Sequence, residues 1–214
     1  NVVWTIAHEG GKDRNQKIPV FKKANWAAGY DAIVHNQCFG GVVDVPFIEG
    51  IARAHAEGTP AVIIHCSTHS YRNAKTDAWR KVVGVSSFSH EKHRPLTVRN
   101  LAAAHPVMQG FPKAWKTPAG ELYKIEKLWP NCQPLATAFG VDTQKDHVCV
   151  WTNHHGKGRV FGTTIGHHNT TMREKIYLDL VTRGLLWACE KLRDDGTPQA
   201  GYGVEREGGQ RRGN

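Results

Sequence analysis

Thirteen histidines in a chain of 214 residues are the first chemical signal, and where they stand matters more than their number. His8, His35 and His65 each follow a short apolar run, residues 2–7, 30–34 and 60–64, and His167 stands just beyond a fourth, 159–165. Imidazole titrates near neutral pH, so it can take or give a proton, and its neutral form suits zinc, manganese, nickel or iron. Four such rings could hold one divalent ion, with Glu9 or Glu121 as an oxygen ligand or base. They could equally line a polar pocket and hydrogen-bond one another and a ligand, because no local spacing such as HExxH fixes a metal. Both readings stand at this point.

Other reactive groups are weaker signals. Cys66 follows His65 directly, but neighbours on a strand point to opposite faces, so a buried thiol is expected rather than a nucleophile. His69 would share a face with His65 if that stretch turned helical. His55 reads as a helix-surface residue, His93 as a loop residue, and His154, His155 and His168 as solvated turn residues. Gly156-Lys157-Gly158 has neither the Ser/Thr nor the helix start of a phosphate loop and reads as a turn, so no nucleotide cofactor is expected.

Side chains at strand ends need a sheet to bring them together. Residues 2–7, 30–34 and 60–64 read as three strands, apolar throughout rather than alternating, as in a parallel sheet covered on both faces. Residues 18–26 are expected as the first crossover helix. Asp44 is a natural N-cap, with Pro46 in the first turn of a helix that runs through His55 and stops at Gly58. A further helix is expected over 74–83, carrying Trp79. Residues 84–138, rich in proline and short extended runs, read as an insertion of loops and small antiparallel strands. Strands resume at 148–152 and 159–165, and 176–192 is the clearest helix, with Ile176, Leu180, Gly184 and Trp187 on one face. Residues 1–192 then make one α/β domain, and 193–214 a flexible tail.

Several motifs in one order carry a resemblance. Val3-Trp4 before His8-Glu9, Ile63-Ile64-His65, His105-Pro106 with Gly110-Phe111-Pro112, Glu121-Leu122-Tyr123, and Gly156-Lys157-Gly158-Arg159-Val160-Phe161 before Gly166-His167 resemble the ThuA-like (trehalose utilisation) domain. That family belongs to the class I glutamine amidotransferase-like superfamily. The resemblance implies a flavodoxin-like, doubly wound, mostly parallel sheet with helices on both faces. Amidotransferases end the third strand in a Gly-x-Cys-x-Gly elbow; here Ile64-His65-Cys66 puts histidine in the nucleophile's place and lacks the glycines, so neither the strained turn nor glutaminase activity is expected. The superfamily's later His-x-Glu pair becomes His167-His168-Asn169, without its carboxylate.

By the same resemblance, the expected function is that of a carbohydrate enzyme acting on a disaccharide or 3-keto-glycoside by hydrolysis, elimination or isomerisation, with a sugar oxidoreductase as functional partner. Such chemistry needs a base for the acidified C2 proton and an acid or metal for the enolate oxygen. The expected catalytic residues are His65, His167, His8 and Glu9, with Glu121 as the acid for the leaving group. The expected metal ligands are His8, His35, His65 and His167, binding one divalent ion. Lys12, Arg14, Asn36, His69, Arg72, His90, Trp115 and Asn169 are the expected substrate contacts. The alternative is a non-catalytic carbohydrate-binding or assembly protein on a degenerate amidotransferase-like fold.

Composition excludes other classes. Five cysteines without CxxC spacing argue against a disulfide framework or thiolate zinc finger. The net charge of +9 is scattered along the chain, so a saccharide is expected as partner rather than a nucleic acid. No apolar run approaches the ~20 residues that span a bilayer, so no membrane partner is expected. A homo-oligomer is compatible with the sequence. A leader upstream of Asn1 would lie outside this sequence, which leaves cytoplasmic, periplasmic and secreted locations open.

Overall fold

The computed structural model describes residues 2–8 and 11–203. Asn1, Glu9, Gly10 and residues 204–214, half of the expected tail, lie outside the described residues.

β1 (Ile33–His35) leads through α1 (Val45–Ala56) into β2 (Ala61–Ile64), and the two strands pair in parallel. α1 begins as its sequence dictates: the Asp44 carboxylate accepts the Phe47 N–H at 3.2 Å, Pro46 sits in the first turn, and Gly58 takes φ 129° just beyond the end. All four residues of β2 are buried, because alternate side chains serve two layers. Ala61 and Ile63 join a cluster with Ile48 and Ile51 of α1 and with Trp79 and Val82 of α2 (Ala78–Val83). Val62 and Ile64 join the opposite cluster.

The insertion is antiparallel, as its proline-broken runs imply. β3 (Val85–His90) and β6 (Tyr123–Leu128) form a separate two-stranded sheet, while β4 (Thr97–Asn100) and β5 (Ala114–Lys116) join the main one. β7 (Gln133–Gly140), β8 (Lys145–His155) and β9 (Gly158–Thr163) complete a seven-stranded sheet in the order β1-β2-β9-β8-β7-β4-β5. It is parallel across β1-β2-β9 and antiparallel from β9 onward. After a short α3 (Asn169–Met172), α4 (Lys175–Ala188) lays Leu180 and Trp187 in the cluster of Val62, Ile64 and Phe161. Helices thus cover both faces of an α/β fold. No described helix is long and apolar enough to cross a membrane.

Three expectations fail. Residues 2–7 form no strand, and Val3 and Ile6 are 96% and 82% exposed. β2 already has β1 on one side and β9 on the other, so a strand-like sequence finds no free edge beside it. Residues 18–26 form only a 3-10 turn, Pro19–Lys22, with Phe21 edge-on to Trp26 at 4.7 Å. Proline and the β-branched residues around it suit a short turn held by aromatic packing better than a crossover helix. His55 is not on the helix surface: it is fully buried on the core side of α1.

Candidate functional site

β2 stops at Ile64, and His65 turns the chain with φ 44° into the 3-10 helix His65–His69. A left-handed backbone costs a residue with a Cβ about 1 kcal/mol, and such strain collects at functional sites. The strained elbow therefore exists without its glycines, and it presents an imidazole. His65 Nδ1–H donates to the Thr164 carbonyl at 2.7 Å, since a carbonyl can only accept, and this leaves Nε2 aimed at His167 Nδ1 (3.0 Å) and Glu121 Oε2 (3.1 Å). His167 Nδ1 is 3.4 Å from the same carboxylate oxygen. The carboxylate absent from the His167-His168-Asn169 run is thus supplied by Glu121.

Glu121 is the hub. It is 6% exposed, and its other oxygen receives His93 Nε2 at 2.8 Å and His90 Nδ1 at 3.2 Å. The small sheet builds this arrangement: past the β3–β6 ladder, Glu91 N–H donates to the Leu122 carbonyl (2.8 Å) and Arg94 N–H to that of Gly120 (3.0 Å). The histidine-bearing strand end is thereby laid against Glu121. Burial opposes the charge of Glu121, yet hydrogen bonds from His65 and His93 hold its carboxyl at about 2. Burial likewise opposes the charge of His65, yet its bonds to Cys66, Glu121 and Thr164 raise it to about 9. Burial lowers His167 and the nearby His65 charge adds to this, against the pull of Glu121. A carboxylate so far down has no proton to give at neutral pH, which argues against the expected role of Glu121 as an acid.

Cys66 also departs from expectation. Because the strand has already ended, it lies in the 3-10 turn, lines the cavity and receives a weak bond from Tyr123 Oη at 3.7 Å. A hydrogen bond with Cys38 and burial push its thiol up to about 12, which leaves no thiolate at neutral pH.

A cavity of about 430 Å³ opens beside this group and is lined by Arg14, His69, Arg72, His90, Glu121 and His167, with Cys38, Gly40 and Tyr123 among their neighbours. The His69 ring stacks on Tyr123 at 3.9 Å and donates Nε2–H to Ser87 Oγ at 2.9 Å, since that hydroxyl gives its own proton to the Ser89 carbonyl. Burial, then Arg72 and His90, lower His69 to about 3, so it is a neutral acceptor at Nδ1.

The other expected residues are elsewhere. His35 and His55 form a separate buried pair, Nε2 to Nε2 at 2.9 Å. His8, Lys12, Asn36 and Asn169 are exposed and do not line the cavity. Trp115 is 5% exposed and packs edge-on to Phe111 in the core, because its β5 position points inward. Of the four expected metal ligands, only His65 and His167 meet, and Glu121 joins them. His93 was not legible as a site residue, for nothing in its local spacing signals it; only strand pairing brings it to Glu121. With His167 and His168 it forms a second close group of ring nitrogens.

The model of the ThuA family, described as trehalose utilisation, matches residues 11–188. Among curated proteins none matches. A ThuA-like protein from Parabacteroides merdae ATCC 43184 superposes with a TM-score of 0.65 at 19% identity, over 88% of this chain and 78% of that one. Another, from Bacteroides uniformis ATCC 8492, gives 0.62 at 16% identity, over 83% and 75%. A protein from Thermoplasma acidophilum whose description is that of a GMP synthase component gives 0.51 at 12% identity, over 81% and 79%. At these identities the structures speak for a shared fold.

Proposed function

Because the chain belongs to the ThuA (trehalose utilisation) family, whose description supports a carbohydrate-related role, we propose that it cleaves an oxidised glycoside, a 3-keto sugar, in the cavity beside Glu121. The observation that carries this reading is the triangle of His65 Nε2, His167 Nδ1 and Glu121 Oε2, with edges of 3.0, 3.1 and 3.4 Å. Donor atoms bound about 2.1 Å from one ion at octahedral to tetrahedral angles lie about this far apart. Two histidines and a carboxylate suit zinc, manganese, nickel or iron. The surroundings fit as well: His65 gives its other ring N–H to a backbone carbonyl, and the free oxygen of Glu121 accepts from His90 and His93, as outer partners of metal ligands do. A divalent ion held there would act as a Lewis acid toward a ketone oxygen.

The residues supply the rest. A ketone at C3 acidifies the proton on C2. His90, facing both the cavity and the Glu121 carboxylate, takes that proton; the electron pair moves into the C1–C2 bond as the bond from C1 to the leaving oxygen breaks. The imidazolium so formed returns the proton to that oxygen. His69 Nδ1 accepts from a ring hydroxyl and holds the sugar in place.

Variants separate these roles. His167→Ala and Glu121→Gln should each lower metal occupancy, read by mass spectrometry, and lower turnover of 3-keto-trehalose at least about 100-fold. His90→Ala should keep the metal and lose about 10²–10⁴-fold in kcat. Full turnover in all three variants would overturn the proposal.

A further inference from the structure

Arg14 and Arg72 stand in the wall of the same cavity, and the cleavage chemistry leaves them without a task. Among the described residues neither forms an ion pair with a carboxylate. Arg72 Nη1 donates to the Phe88 carbonyl at 2.9 Å, which fixes the guanidinium while its other N–H groups stay available.

Both arginine-bearing segments close against Gly40-Gly41. A Cβ on Gly41 would lie 2.1 Å from Asn15 Oδ1 and 3.3 Å from the Arg14 carbonyl, which itself accepts the Gly41 N–H at 3.1 Å. A Cβ on Gly40 would lie 3.2 Å from the His69 carbonyl and 3.4 Å from Arg72 Nε. A side chain at Gly41 would displace the segment that carries Arg14, and one at Gly40 would crowd the turn before Arg72; their absence lets two segments distant in sequence close on one wall. The Cys38 thiol in the same wall is lowered to about 7, first by its hydrogen bond with Cys66 and, against the opposing effect of burial, by Arg72 and Arg14.

Two guanidinium groups lining one cavity without a carboxylate partner among the described residues leave positive charge there that a neutral sugar does not balance. A phosphate or carboxylate accepts charge-assisted, often forked, hydrogen bonds from guanidinium and balances it. We propose that the cavity takes an anionic saccharide, one carrying a phosphate or carboxylate group, with Arg14 and Arg72 holding the anion while the sugar ring faces Glu121 and its histidines. This rests on the reading of the cavity as a saccharide site.

The test is calorimetric titration of the full chain with glucose 6-phosphate, glucuronate and glucose, at low and physiological salt, for the wild type, Arg14→Gln and Arg72→Gln. At least one anionic sugar should bind about tenfold more tightly than glucose, and each substitution should erase about tenfold of that advantage. The preference should weaken as salt rises. The two anionic sugars separate phosphate from carboxylate. Glucose binding as tightly as both, failure of both anionic sugars to bind, or a preference that survives both substitutions would overturn the proposal. Arg14 is exposed, so its replacement keeps the result readable even if Arg72→Gln melts early. The two readings fail separately: an arginine-dependent preference without turnover of any keto sugar sinks the cleavage reading alone, and turnover without that preference sinks this one alone.

Discussion

At the scale of single residues, two histidine groups in one chain are put to opposite uses by their partners. His65 is paired with a carboxylate and rises to about 9, which marks the Glu121 position as one that draws positive charge, whether a proton or a metal ion. His35 and His55 have only neutral partners. His55 Nδ1–H donates to the Thr59 carbonyl (2.8 Å), so its Nε2 must accept from His35 Nε2–H, and His35 Nδ1 in turn accepts from the Gln37 amide at 3.0 Å. The chain of bonds closes only with both rings neutral. Burial accordingly lowers His55 from 6.5 to about 4, and burial with the neighbouring His55 lowers His35. A group depressed in the folded state is protonated first in the unfolded chain, so its contribution is full above 6.5 and is lost as pH falls through 6.5 toward 4. Urea unfolding should show stability dropping over that window by about 1.4 kcal/mol per pH unit for each proton taken up. A flat profile between those values would refute the neutral pair.

At the scale of elements, the site is assembled by a two-stranded sheet laid over the elbow. The elbow was readable in outline: the apolar run before His65 announced a buried strand end, and the capped helix before it announced the crossover. What could not be read was partnership. Glu121 and His93 are far apart in the chain and meet only because β3 pairs with β6, a register that proline-rich sequence does not disclose. Likewise the positive φ of His65 has no local signal, since Thr164 holds that ring from β9's end of the sheet. Close packing makes another testable contrast. Gly184 in α4 faces Phe161, and a Cβ there would lie 2.3 Å from that buried ring, while Gly50 in α1 has nothing within 4 Å. Gly184→Ala should destabilise by about 1–3 kcal/mol despite its better helix propensity. Gly50→Ala should stabilise by about 1 kcal/mol. Thermal melts that moved both variants in the same direction would contradict this packing.

At the scale of the whole molecule, the parallel strands β1, β2 and β9 gather their carboxyl ends at one edge, where open α/β sheets bind ligands. The fold class was legible because buried parallel strands need unbroken apolar runs. Residues 2–7 misled because they have the same composition, yet β1 and β2 pair with each other directly and leave no slot between them. This chain places imidazole on the elbow after β2 and brings to it a carboxylate, Glu121, from the residues between α2 and β7. The most direct measurement is turnover of 3-keto-trehalose by purified protein carrying one divalent ion per chain, assayed before and after chelation. Cleavage is expected with the ion bound, with loss after chelation and recovery when the ion is restored; a protein that binds the sugar and leaves it intact in every state would refute the keto-sugar cleavage.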